Sequence, residues 1–462
     1  MKLILLSGGS GKRLWPLSNE ARSKQFLKIL DSEEGKKVSM IQRVWKQLIE
    51  TGLAEHAVIA TSSTQLDMIN SQLGGGIPVV AEPARRDTFA AIALAAAYLN
   101  SSEECRKDEV IGILPVDSYV GNDFFEQVKD LEKALLDSKS DLALIGVKPT
   151  FPSEKYGYIV PKKKNADGFF MVDYFKEKPA EEYAEELMKQ DALWNCGVFA
   201  FRLSFILDYL KSQNLPVSYE ELLGNYDSLP KNSFDYEVVE KTNSIVSLSY
   251  SGYWKDLGTW NTLTDEMADN ITGKGVISQE VINSHIVNEL DIPITLLGLD
   301  NVVVAASPDG ILVTHKDESP RVKEYVDSLE GRPMFEERRW GWYRVLEHTK
   351  YPEGNEVLIK RLGISAGRNL SYQVHYKRSE VWTIVKGEGI FVYNDQLQHV
   401  RTGDVLHIPL SARHAIRATT DMEVIEVQSG SELIEEDIFR IAFSWEETEE
   451  ICKNRVFSGL GE

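Results

Sequence analysis

The chain has 462 residues, of which 43% are hydrophobic and 26% charged, and its formal net charge is −20. Because a single hydrophobic core stops growing at roughly 250–300 residues, this length predicts two or three domains. The negative charge argues against general binding to nucleic acid or to an anionic membrane, and no apolar run reaches the ~18 residues of a membrane span.

The cysteines and the N-terminus indicate the compartment. Cys105, Cys196 and Cys452 lie far apart, which suggests a reducing environment and neither a disulfide framework nor a cysteine zinc site. The apolar stretch from residue 3 to residue 6 meets Ser7-Gly8-Gly9 at once, so it is too short for a signal-peptide core. We therefore predict a cytoplasmic protein whose first residues form a buried strand.

Up to about residue 260, short β-rich runs alternate with helical patterns. Strands are predicted at Lys2–Ser7, His56–Ala60, Pro78–Ala81, Val110–Leu114 and Leu142–Val147. Met40–Glu50 has apolar residues at helical spacing, and the alanine-rich run Thr88–Leu99 predicts a helix with Asp87 or Thr88 as N-cap. This alternation predicts an α/β domain over residues 1–270, with a mostly parallel, Rossmann-like sheet and ligands at the carboxyl ends of its strands.

A glycine-rich string follows the first predicted strand directly: Leu6-Ser7-Gly8-Gly9-Ser10-Gly11-Lys12-Arg13-Leu14-Trp15-Pro16-Leu17-Ser18. Glycines let the backbone turn sharply and approach a ligand, so that several N–H groups can point at phosphate oxygens. The first thirty residues are also locally basic, with Lys2, Lys12, Arg13, Arg22, Lys24 and Lys28 against Glu20 alone. A polyphosphate site requires such an excess, although a simple turn with solvated basic residues is the alternative.

The whole string resembles the GGxGxRLxPL signature of the sugar nucleotidyltransferases and differs from the GxxxxGK[ST] loop of ATPases. Its continuation, Ser23-Lys24-Gln25-Phe26-Leu27, is similar to the mannose-1-phosphate guanylyltransferase family in particular. The resemblance covers most of residues 1–330. It implies catalytic phosphate contacts from Arg13 and Lys24, and nucleotide binding by Leu6, Gly8, Gly9, Gly11 and Lys12.

Two aspartates are candidates for a metal site. Nucleotidyl transfer moves negative charge onto leaving pyrophosphate, and Mg²⁺ held by carboxylates is the usual neutraliser. Asp117 ends the hydrophobic run Leu114-Pro115-Val116, at the strand tip where a site is expected, and Asp256 lies in Tyr253-Trp254-Lys255-Asp256-Leu257-Gly258. Both match metal-binding aspartates of the resembled family, while a turn or a helix cap is the alternative for each.

Three further strings resemble family elements that contact the hexose or its phosphate, at residues 155–159, 175–179 and 194–199. The resemblance implies sugar binding by Gly157, Glu177, Lys178, Asn195 and Gly197. It places the base near residues 82–88, with Glu82, Arg86 and Asp87 as nucleotide-binding residues. A surface ion pair for Glu177 and Lys178, a turn role for Asn195 and a helix cap for Asp87 remain as alternatives.

This chain departs from the family at three positions near these strings. Asp87 stands where the family usually has asparagine, Ser118 where it has histidine, and Cys196 where it has serine. An extra carboxylate near the base or the phosphates is not neutral. These changes leave the preference for base and sugar open.

Residues 271–335 have a different pattern. Short β runs at Val276-Ile277, 284–287, Val302–Ala305 and Ile311–Thr314 are separated by Asn, Asp and Gly. They predict a small β-rich appendage and linker, with a partial β-solenoid as one form, and the apolar runs make a homodimer the expected assembly. From residue 336 to 462, recurring short strands with glycine turns predict a jelly-roll barrel.

The barrel contains a candidate metal cluster. Gln373 and His375 share one face of a strand by period-two spacing, and Glu380 and the distant His414 complete the set. Imidazole with oxygen ligands suits Zn²⁺, Mn²⁺ or Fe²⁺, while a hydrogen-bonded polar interior is the alternative. The region resembles the cupin domain of type II phosphomannose isomerases, which is often fused to the guanylyltransferase.

The resemblance breaks at three points. The family's His-Arg-Leu reads His414-Ala415-Ile416, the segment Tyr376-Lys377 lacks a second histidine, and the terminal Tyr-Gly-Arg is missing. We therefore expect metal binding and leave isomerisation open.

Taken together, the patterns predict a phosphate-binding enzyme, and the resemblance implies that it forms GDP-mannose and pyrophosphate from GTP and mannose 1-phosphate, without a covalent intermediate. The alternatives are a bifunctional enzyme that also isomerises fructose 6-phosphate to mannose 6-phosphate, a transferase for another sugar or base, and a non-catalytic sugar-nucleotide sensor. The paired aspartates argue against the sensor, because binding alone does not require a metal pair.

Overall fold

The computed structural model describes residues 1–9, 11–19, 21–101, 105–164, 168–329, 331–434 and 437–458. The chain forms two compact units, one of Met1–Ala305 and Leu312–Leu329, the other of Ala306–Ile311 and Glu330–Glu462. The division into three parts at residues 270 and 335 stays a prediction. Among the described residues, no helix is both long enough and apolar enough to cross a membrane.

The described residues up to 329 form nineteen strands, ten α-helices and several short 3-10 helices. The strands are β1 (Lys2–Leu6), β2 (Leu30–Asp31), β3 (Lys37–Val38), β4 (Ala57–Ser62), β5 (Val79–Glu82), β6 (Val110–Pro115), β7 (Ser118–Val120), β8 (Leu142–Val147), β9 (Tyr158–Lys164), β10 (Phe169–Lys176), β11 (Leu193–Arg202), β12 (Ile245–Tyr250), β13 (Trp254–Asp256), β14 (Ile271–Thr272), β15 (Gly275–Ile277), β16 (His285–Asn288), β17 (Ile294–Leu296), β18 (Val302–Ser307) and β19 (Gly310–His315). The α-helices are α1 (Met40–Glu50), α2 (Leu66–Leu73), α3 (Asp87–Asn100), α4 (Asn122–Ser138), α5 (Glu181–Lys189), α6 (Leu203–Ser212), α7 (Tyr219–Gly224), α8 (Phe234–Glu237), α9 (Trp260–Thr264) and α10 (Val322–Val326). The 3-10 helices are Lys12–Leu14, Lys24–Phe26, Ala54–His56, Ser63–Gln65, Tyr226–Ser228, Val239–Lys241 and Lys316–Arg321.

A nine-stranded sheet in the order β5-β4-β1-β6-β11-β8-β12-β10-β9 forms the centre of the first unit. β10 and β11 run against the other seven strands, so the sheet is mixed, with four parallel strands at the β5 edge. All six residues of β4 and of β8 are buried, as sheets covered on both faces require. Alternate residues of β1 pack into two cores: Leu3 and Leu5 with α1 and α4, and Ile4 with α3 and α6.

Two helix predictions had different outcomes. α1 spans Met40–Glu50 as predicted, and Ser39 and Gln42 form a capping box at its start. α3 begins at Asp87 with Arg86 at the N-cap and no side-chain cap bond, so the predicted Asp87 or Thr88 cap is wrong. The reason is local: Asp87 has a left-handed φ of 67°, and the Thr88 hydroxyl accepts a hydrogen bond from the Phe234 N–H at 2.8 Å instead.

The β appendage is built from short parallel pairs. β14 pairs in parallel with β16, and β15 pairs in parallel with β17, the arrangement that a β-solenoid repeats. The Asn283 amide nitrogen donates to the Asn301 amide oxygen at 2.8 Å, between equivalent turns. Val287 and Val303 pack with Leu14 of the N-terminal loop and with α9 in one apolar cluster, so the appendage lies against that loop.

The described residues of the second unit form two antiparallel sheets and one helix. Its elements are β20 (Phe335–Arg338), β21 (Gly341–Lys350), β22 (Glu356–Ile364), β23 (Tyr372–Val374), β24 (Arg378–Lys386), β25 (Glu388–Tyr393), β26 (Gln396–Arg401), β27 (Val405–Ile408), β28 (His414–Ala418), β29 (Met422–Gly430), β30 (Phe439–Ala442) and α11 (Trp445–Ser458). The sheets have the orders β20-β21-β22-β29-β24-β27 and β26-β25-β28-β23-β30. Side chains from both sheets, Trp382 and Phe391 among them, share one core, so the two sheets pack face to face as a jelly-roll barrel requires.

Candidate active site and candidate metal centre

The predicted catalytic lysine lies between the two predicted metal aspartates. Lys24 Nζ is 2.8 Å from Asp117 Oδ2 and 3.3 Å from Asp256 Oδ1. Asp117 follows β6, and the antiparallel pairing of β7 with β13 places Asp256 opposite Ser118. The two carboxylates therefore share one cleft at the carboxyl end of β6.

Hydrogen bonds fix Lys24 and the glycine-rich string to one another. The Gln25 amide donates to the Ser7 carbonyl at 2.5 Å, and the Ser23 hydroxyl donates to the Gly9 carbonyl at 2.6 Å. A Cβ on Gly11 would lie 2.7 Å from the Lys24 backbone nitrogen, so only glycine lets the two segments approach this closely. These contacts therefore fix the position of the glycine-rich string relative to Lys24.

The charges in this cleft stabilise each other. Burial alone would lower the pKa of Lys24, but Asp117 and Asp256 outweigh it and hold that pKa above its usual value. Burial alone would raise the pKa of Asp117, yet Lys24 and the exposed Arg13 hold it below its usual range. Near neutral pH the lysine is charged and Asp117 is ionised, which are the forms that phosphate and metal binding require.

The predicted nucleotide residues line the start of this cleft. Leu6 ends β1, and its carbonyl accepts from the Val116 N–H at 3.2 Å. A Cβ on Gly8 would lie 2.8 Å from Glu82 Oε1, so Glu82 faces the glycine loop. Glu82 is buried, accepts from the Tyr226 hydroxyl at 2.6 Å, and has its pKa raised by burial.

Other predicted nucleotide residues have protein partners of their own. Arg86 donates to the Leu229 carbonyl at 2.8 Å and pairs with Asp227 at 3.3 Å. Lys12 pairs with Asp327 at 3.7 Å. Asp87 is exposed, and its charge contributes to raising the pKa values of both Glu82 and Glu177. Asp87 is therefore close enough to both Glu82 and Glu177 for its charge to act on each.

The predicted sugar residues come together where β9 begins, β10 ends and the pairing of β11 is irregular. The Asn195 N–H donates to the Gly157 carbonyl at 2.8 Å, and the Gly197 N–H donates to Asn195 Oδ1 at 3.0 Å. A Cβ on Gly157 would lie 2.4 Å from Glu177 Oε2. Glu177 Oε1 accepts from Lys178 Nζ at 2.7 Å. These contacts link the five residues into one polar group.

Sequence reasoning missed two members of this group. The Asn195 amide donates to Asp235 Oδ1 at 2.7 Å, and burial together with the Glu177 charge raises the pKa of Asp235 to about 7. Burial, with the Asp256 charge beside it, raises the pKa of Tyr156 to about 12, so its hydroxyl stays a neutral donor. Tyr156 directly precedes Gly157 in a string that resembles the family, so its position could have indicated a place in this group. No sequence pattern indicated Asp235.

The third departure from the family, Cys196, has a structural role. Its Sγ donates to the Ile145 carbonyl at 3.1 Å, and burial raises the pKa of its thiol to about 12. A neutral, buried thiol is unreactive. Cys196 therefore supports β11 from inside the core.

The donor chemistry of the cleft fits a divalent cation. Asp117 and Asp256 both turn a carboxylate oxygen to the same ammonium nitrogen, so the two oxygens converge on one positive charge. Mg²⁺ prefers hard oxygen ligands and is commonly bound by one or two carboxylates together with substrate phosphates.

The second unit contains a separate cluster of ligand atoms. His375, Glu380 and His414 are at most 2% exposed, and one ligand atom from each lies within 4.8 Å of the others. The Gln373 amide lies 3.3 Å from His375 Nε2. His375 Nδ1 faces the Asp437 carbonyl at 2.5 Å and His414 Nδ1 faces the Ala412 carbonyl at 3.0 Å, so the Nε2 atoms are the ring nitrogens that face the cluster.

A buried arginine joins this cluster, and no sequence signal indicated it. Arg378 Nε donates to Glu380 Oε1 at 2.9 Å, and Arg378 Nη2 lies 3.4 Å from His375 Nε2. Burial alone would raise the pKa of Glu380, but His414, His375 and Arg378 hold it below its usual range. Burial lowers the pKa of His375. The result is an anionic Glu380 beside a neutral His375, which are the protonation states of metal ligands.

Comparison with known proteins agrees with this division. Residues 2–272 match the nucleotidyl transferase family, and residues 333–442 match the mannose-6-phosphate isomerase C-terminal family. The chain therefore belongs to the nucleotidyl transferase family and has a C-terminal domain of the second family. The resemblance seen in the sequence is confirmed.

Full-length relatives place the chain within that family. It is 31% identical to the alginate biosynthesis protein AlgA of Pseudomonas syringae pv. tomato, over 95% of each chain. It is 28% identical to the mannose-1-phosphate guanylyltransferase of Salmonella muenchen, over 95% of this chain and 97% of that protein. A crystal structure described as a mannose-1-phosphate geranyltransferase from Thermus thermophilus is 29% identical, with a TM-score of 0.60 over 71% of this chain and 99% of that one.

Proposed function

We propose that the chain transfers the guanylyl group of GTP to α-D-mannose 1-phosphate, giving GDP-mannose and pyrophosphate. The observation that carries this proposal is Lys24, held between Asp117 and Asp256 beside the glycine loop. The Salmonella relative is named for the same reaction. The charge of Asp87, at a position where the family usually has a neutral asparagine, acts on both Glu82 and Glu177, so a transferase for another base or sugar is the alternative.

The reaction needs positioning and charge rather than a covalent intermediate. A phosphate oxygen of mannose 1-phosphate attacks the α-phosphorus of GTP, a new P–O bond forms, and the bond to the β-phosphate oxygen breaks, releasing pyrophosphate. The attacking phosphate is already ionised, so no general base is required. Lys24, Arg13 and the N–H groups of the glycine loop stabilise the charge that develops at the α-phosphate. Mg²⁺, which Asp117 and Asp256 would hold, neutralises phosphate charge when bound.

The proposed hexose site has unused hydrogen-bonding capacity. Within the described part of the chain, Glu177 Oε2 is buried without a hydrogen-bond partner. A buried acceptor of this kind gains most from a ligand donor, because leaving it unpaired costs about 1–3 kcal/mol. A sugar hydroxyl supplies that donor, and the neighbouring Lys178 supplies a cation for the sugar phosphate.

Asp235 makes stability depend on pH. Its folded-state pKa of about 7 lies above its unfolded value near ~3.9, so the folded chain binds more protons in between and its stability falls as pH rises through this window. We expect Asp235→Asn to raise the Tm relative to wild type at pH 8.5 and to change it little at pH 4, close to the unfolded pKa, where the cost of protonating Asp235 on folding vanishes. Thermal unfolding followed by circular dichroism measures both differences. The exposed Asp208→Asn is the control, and equal differences at the two pH values would contradict the expectation.

The direct test of the proposed function is pyrophosphate release measured across nucleoside triphosphates and sugar 1-phosphates. We expect the highest kcat/KM with GTP and mannose 1-phosphate, and GDP-mannose as the product in mass spectrometry. A better pair would reassign the base or the sugar. Inactivity of the folded wild-type chain with every pair, at saturating Mg²⁺, would refute an enzymatic role.

For the second unit we propose a divalent metal site formed by His375, Glu380 and His414, with Gln373 beside them. Zn²⁺ is the first candidate because two imidazoles and a carboxylate are common zinc ligands. We expect one equivalent of Zn²⁺ to bind in excess Mg²⁺, and His375→Ala to weaken this affinity by roughly 100-fold or more. Isothermal titration calorimetry measures this, with the exposed His407→Ala as control. Unchanged affinity in His375→Ala would show that the cluster holds no zinc.

Isomerase activity of this unit, which would make the enzyme bifunctional, remains an alternative. Neither residue of the Tyr376-Lys377 segment offers a substitute for the absent histidine: Tyr376 is exposed and Lys377 pairs with Glu432. Conversion of fructose 6-phosphate to mannose 6-phosphate by the zinc-loaded chain, lost in His375→Ala, would establish isomerase activity.

The predicted homodimer and cytoplasmic location, and the absence of nucleic-acid and membrane partners, stay predictions. Exposed apolar side chains on the appendage, including Val276, Ile282, Leu297 and Leu299, support self-association.

A further inference from the structure

A fork of two hydrogen bonds joins the loop before Lys24 to the β appendage. Arg22 Nη1 donates to Glu289 Oε2 and Arg22 Nη2 donates to Glu289 Oε1, both at 2.9 Å. The Arg22 side chain is only 11% exposed, so water screens this pair weakly. Bidentate guanidinium–carboxylate pairs are directional as well as strong, and they fix orientation better than a single contact.

The backbone around Arg22 transmits that orientation to the active site. Two hydrogen bonds join Asn19 to the Arg22 backbone: Asn19 Oδ1 accepts from the Arg22 N–H at 2.7 Å, and the Asn19 N–H donates to the Arg22 carbonyl at 2.9 Å. The next residue, Ser23, bonds the Gly9 carbonyl, and Lys24 follows. A shift of Arg22 would therefore move both the glycine loop and the lysine.

The appendage is a firm support for this fork. Glu289 directly follows β16, and the turn there is held by Asn288, which is 4% exposed and donates to the Lys274 and Ile292 carbonyls at 2.8 Å. Asn288 Oδ1 in turn accepts from the Leu290 N–H at 2.9 Å. These hydrogen bonds therefore fix the backbone on both sides of Glu289, at Asn288 and Leu290.

We propose that Glu289 is a positioning residue for guanylyl transfer: through Arg22 it holds Lys24 and the glycine loop in the geometry that the α-phosphate requires. This inference rests on the proposed function of the first unit. It gives the appendage a part in the reaction although Glu289 itself touches neither Lys24 nor the two aspartates. Misplacement of a catalytic group by about 1 Å can cost roughly 100-fold in rate. The Arg22–Glu289 pair, called the clamp below, can therefore have a large effect on the rate.

The test compares Glu289→Ala, Arg22→Ala and the double variant. We expect each single variant to lower kcat/KM for GTP by roughly 10- to 100-fold, with KM for mannose 1-phosphate within about twofold of wild type. The double variant should lose no more than either single one, because the two residues act as one unit. Glu289→Gln, which keeps one acceptor oxygen for Arg22, should recover part of the loss. The exposed Glu280→Ala is the matched control on the same appendage.

Calorimetric titration with Mg²⁺ and GTP, on samples whose folding is confirmed by circular dichroism, separates the two possible failures. Weaker GTP binding in Glu289→Ala and Arg22→Ala supports the clamp even if wild type proves inactive, a result that would refute only the proposed function. Wild-type GTP affinity and kcat in Glu289→Ala would overturn the clamp. Losses that add in the double variant would also overturn it. So would a KM for mannose 1-phosphate that rises by as large a factor as kcat/KM for GTP falls. Either result would indicate general loosening of the fold.

Discussion

Replacing Asp117 by asparagine is expected to lower kcat for GDP-mannose formation by about 10³-fold or more, with a smaller loss for Asp256→Asn. An amide offers one neutral oxygen where the carboxylate offers charged ones, so the affinity for Mg²⁺ falls and phosphate charge is left unneutralised; a 10³-fold loss corresponds to about 4 kcal/mol of transition-state stabilisation. Asp117 also accepts the shorter of the two Lys24 contacts, which is why its loss should cost more. Pyrophosphate release at saturating substrates measures kcat.

A magnesium titration distinguishes loss of the metal from loss of the fold. Asp117→Asn should require a higher Mg²⁺ concentration for half-maximal rate, while its Tm stays close to that of wild type. Asp137→Asn changes an exposed aspartate of α4 and should leave the rate unaltered. If Asp117→Asn kept more than a tenth of wild-type kcat at physiological Mg²⁺, the paired-aspartate assignment would fail.

Much of the active site could be predicted because its parts are local. The glycine string follows a five-residue strand whose middle three residues are buried, and Asp117 comes just after the tip of another apolar strand, β6. In a parallel sheet such tips meet at one edge, so proximity followed from the pattern itself. Asp256 was different: only the resemblance placed it in the site, because the β7–β13 pairing that brings it there involves two three-residue strands without a sequence signal.

The sugar side shows where the sequence could not suffice. Asp235 lies in the four-residue helix α8 and looks like an ordinary first-turn acid. Its role depends on Asn195 and on the charge of Glu177, both distant in sequence, and its raised pKa arises from burial that no local pattern encodes. The fork between Arg22 and Glu289 spans 267 positions and was invisible for the same reason.

The second unit gives a similar contrast. Period-two spacing put Gln373 and His375 together, and their residue types made Glu380 and the distant His414 candidates for the same cluster; the structure brings all four together. Arg378 was missed because an arginine two residues before a ligand reads as an exposed strand residue. Its burial follows from the Ile434 carbonyl, which accepts from Nη1 at 2.9 Å, and from the Glu380 carboxylate.

Replacing Lys24 by methionine is expected to lower kcat/KM for GTP by about 10²- to 10³-fold, since it removes a positive charge aimed at the reacting phosphates while keeping the length of the side chain. Lys24 also holds the pKa of Asp117 below its usual range. In the variant that pKa should rise, so the acid limb of the pH–rate profile should move to higher pH. Steady-state rates from pH 3.5 to 9 measure both effects.

Two companion variants decide how the lysine acts. Lys24→Arg keeps the charge near Asp117 but alters the geometry, so it should leave the acid limb close to that of wild type even where its rate is reduced. Lys28→Met removes an exposed lysine four residues further on and should change neither quantity. A Lys24→Met enzyme with reduced rate but an unmoved acid limb would mean that Lys24 serves the phosphates alone. A Lys24→Met enzyme with wild-type kcat/KM would show that Lys24 is not a catalytic residue, because the reaction would then proceed equally well without its positive charge.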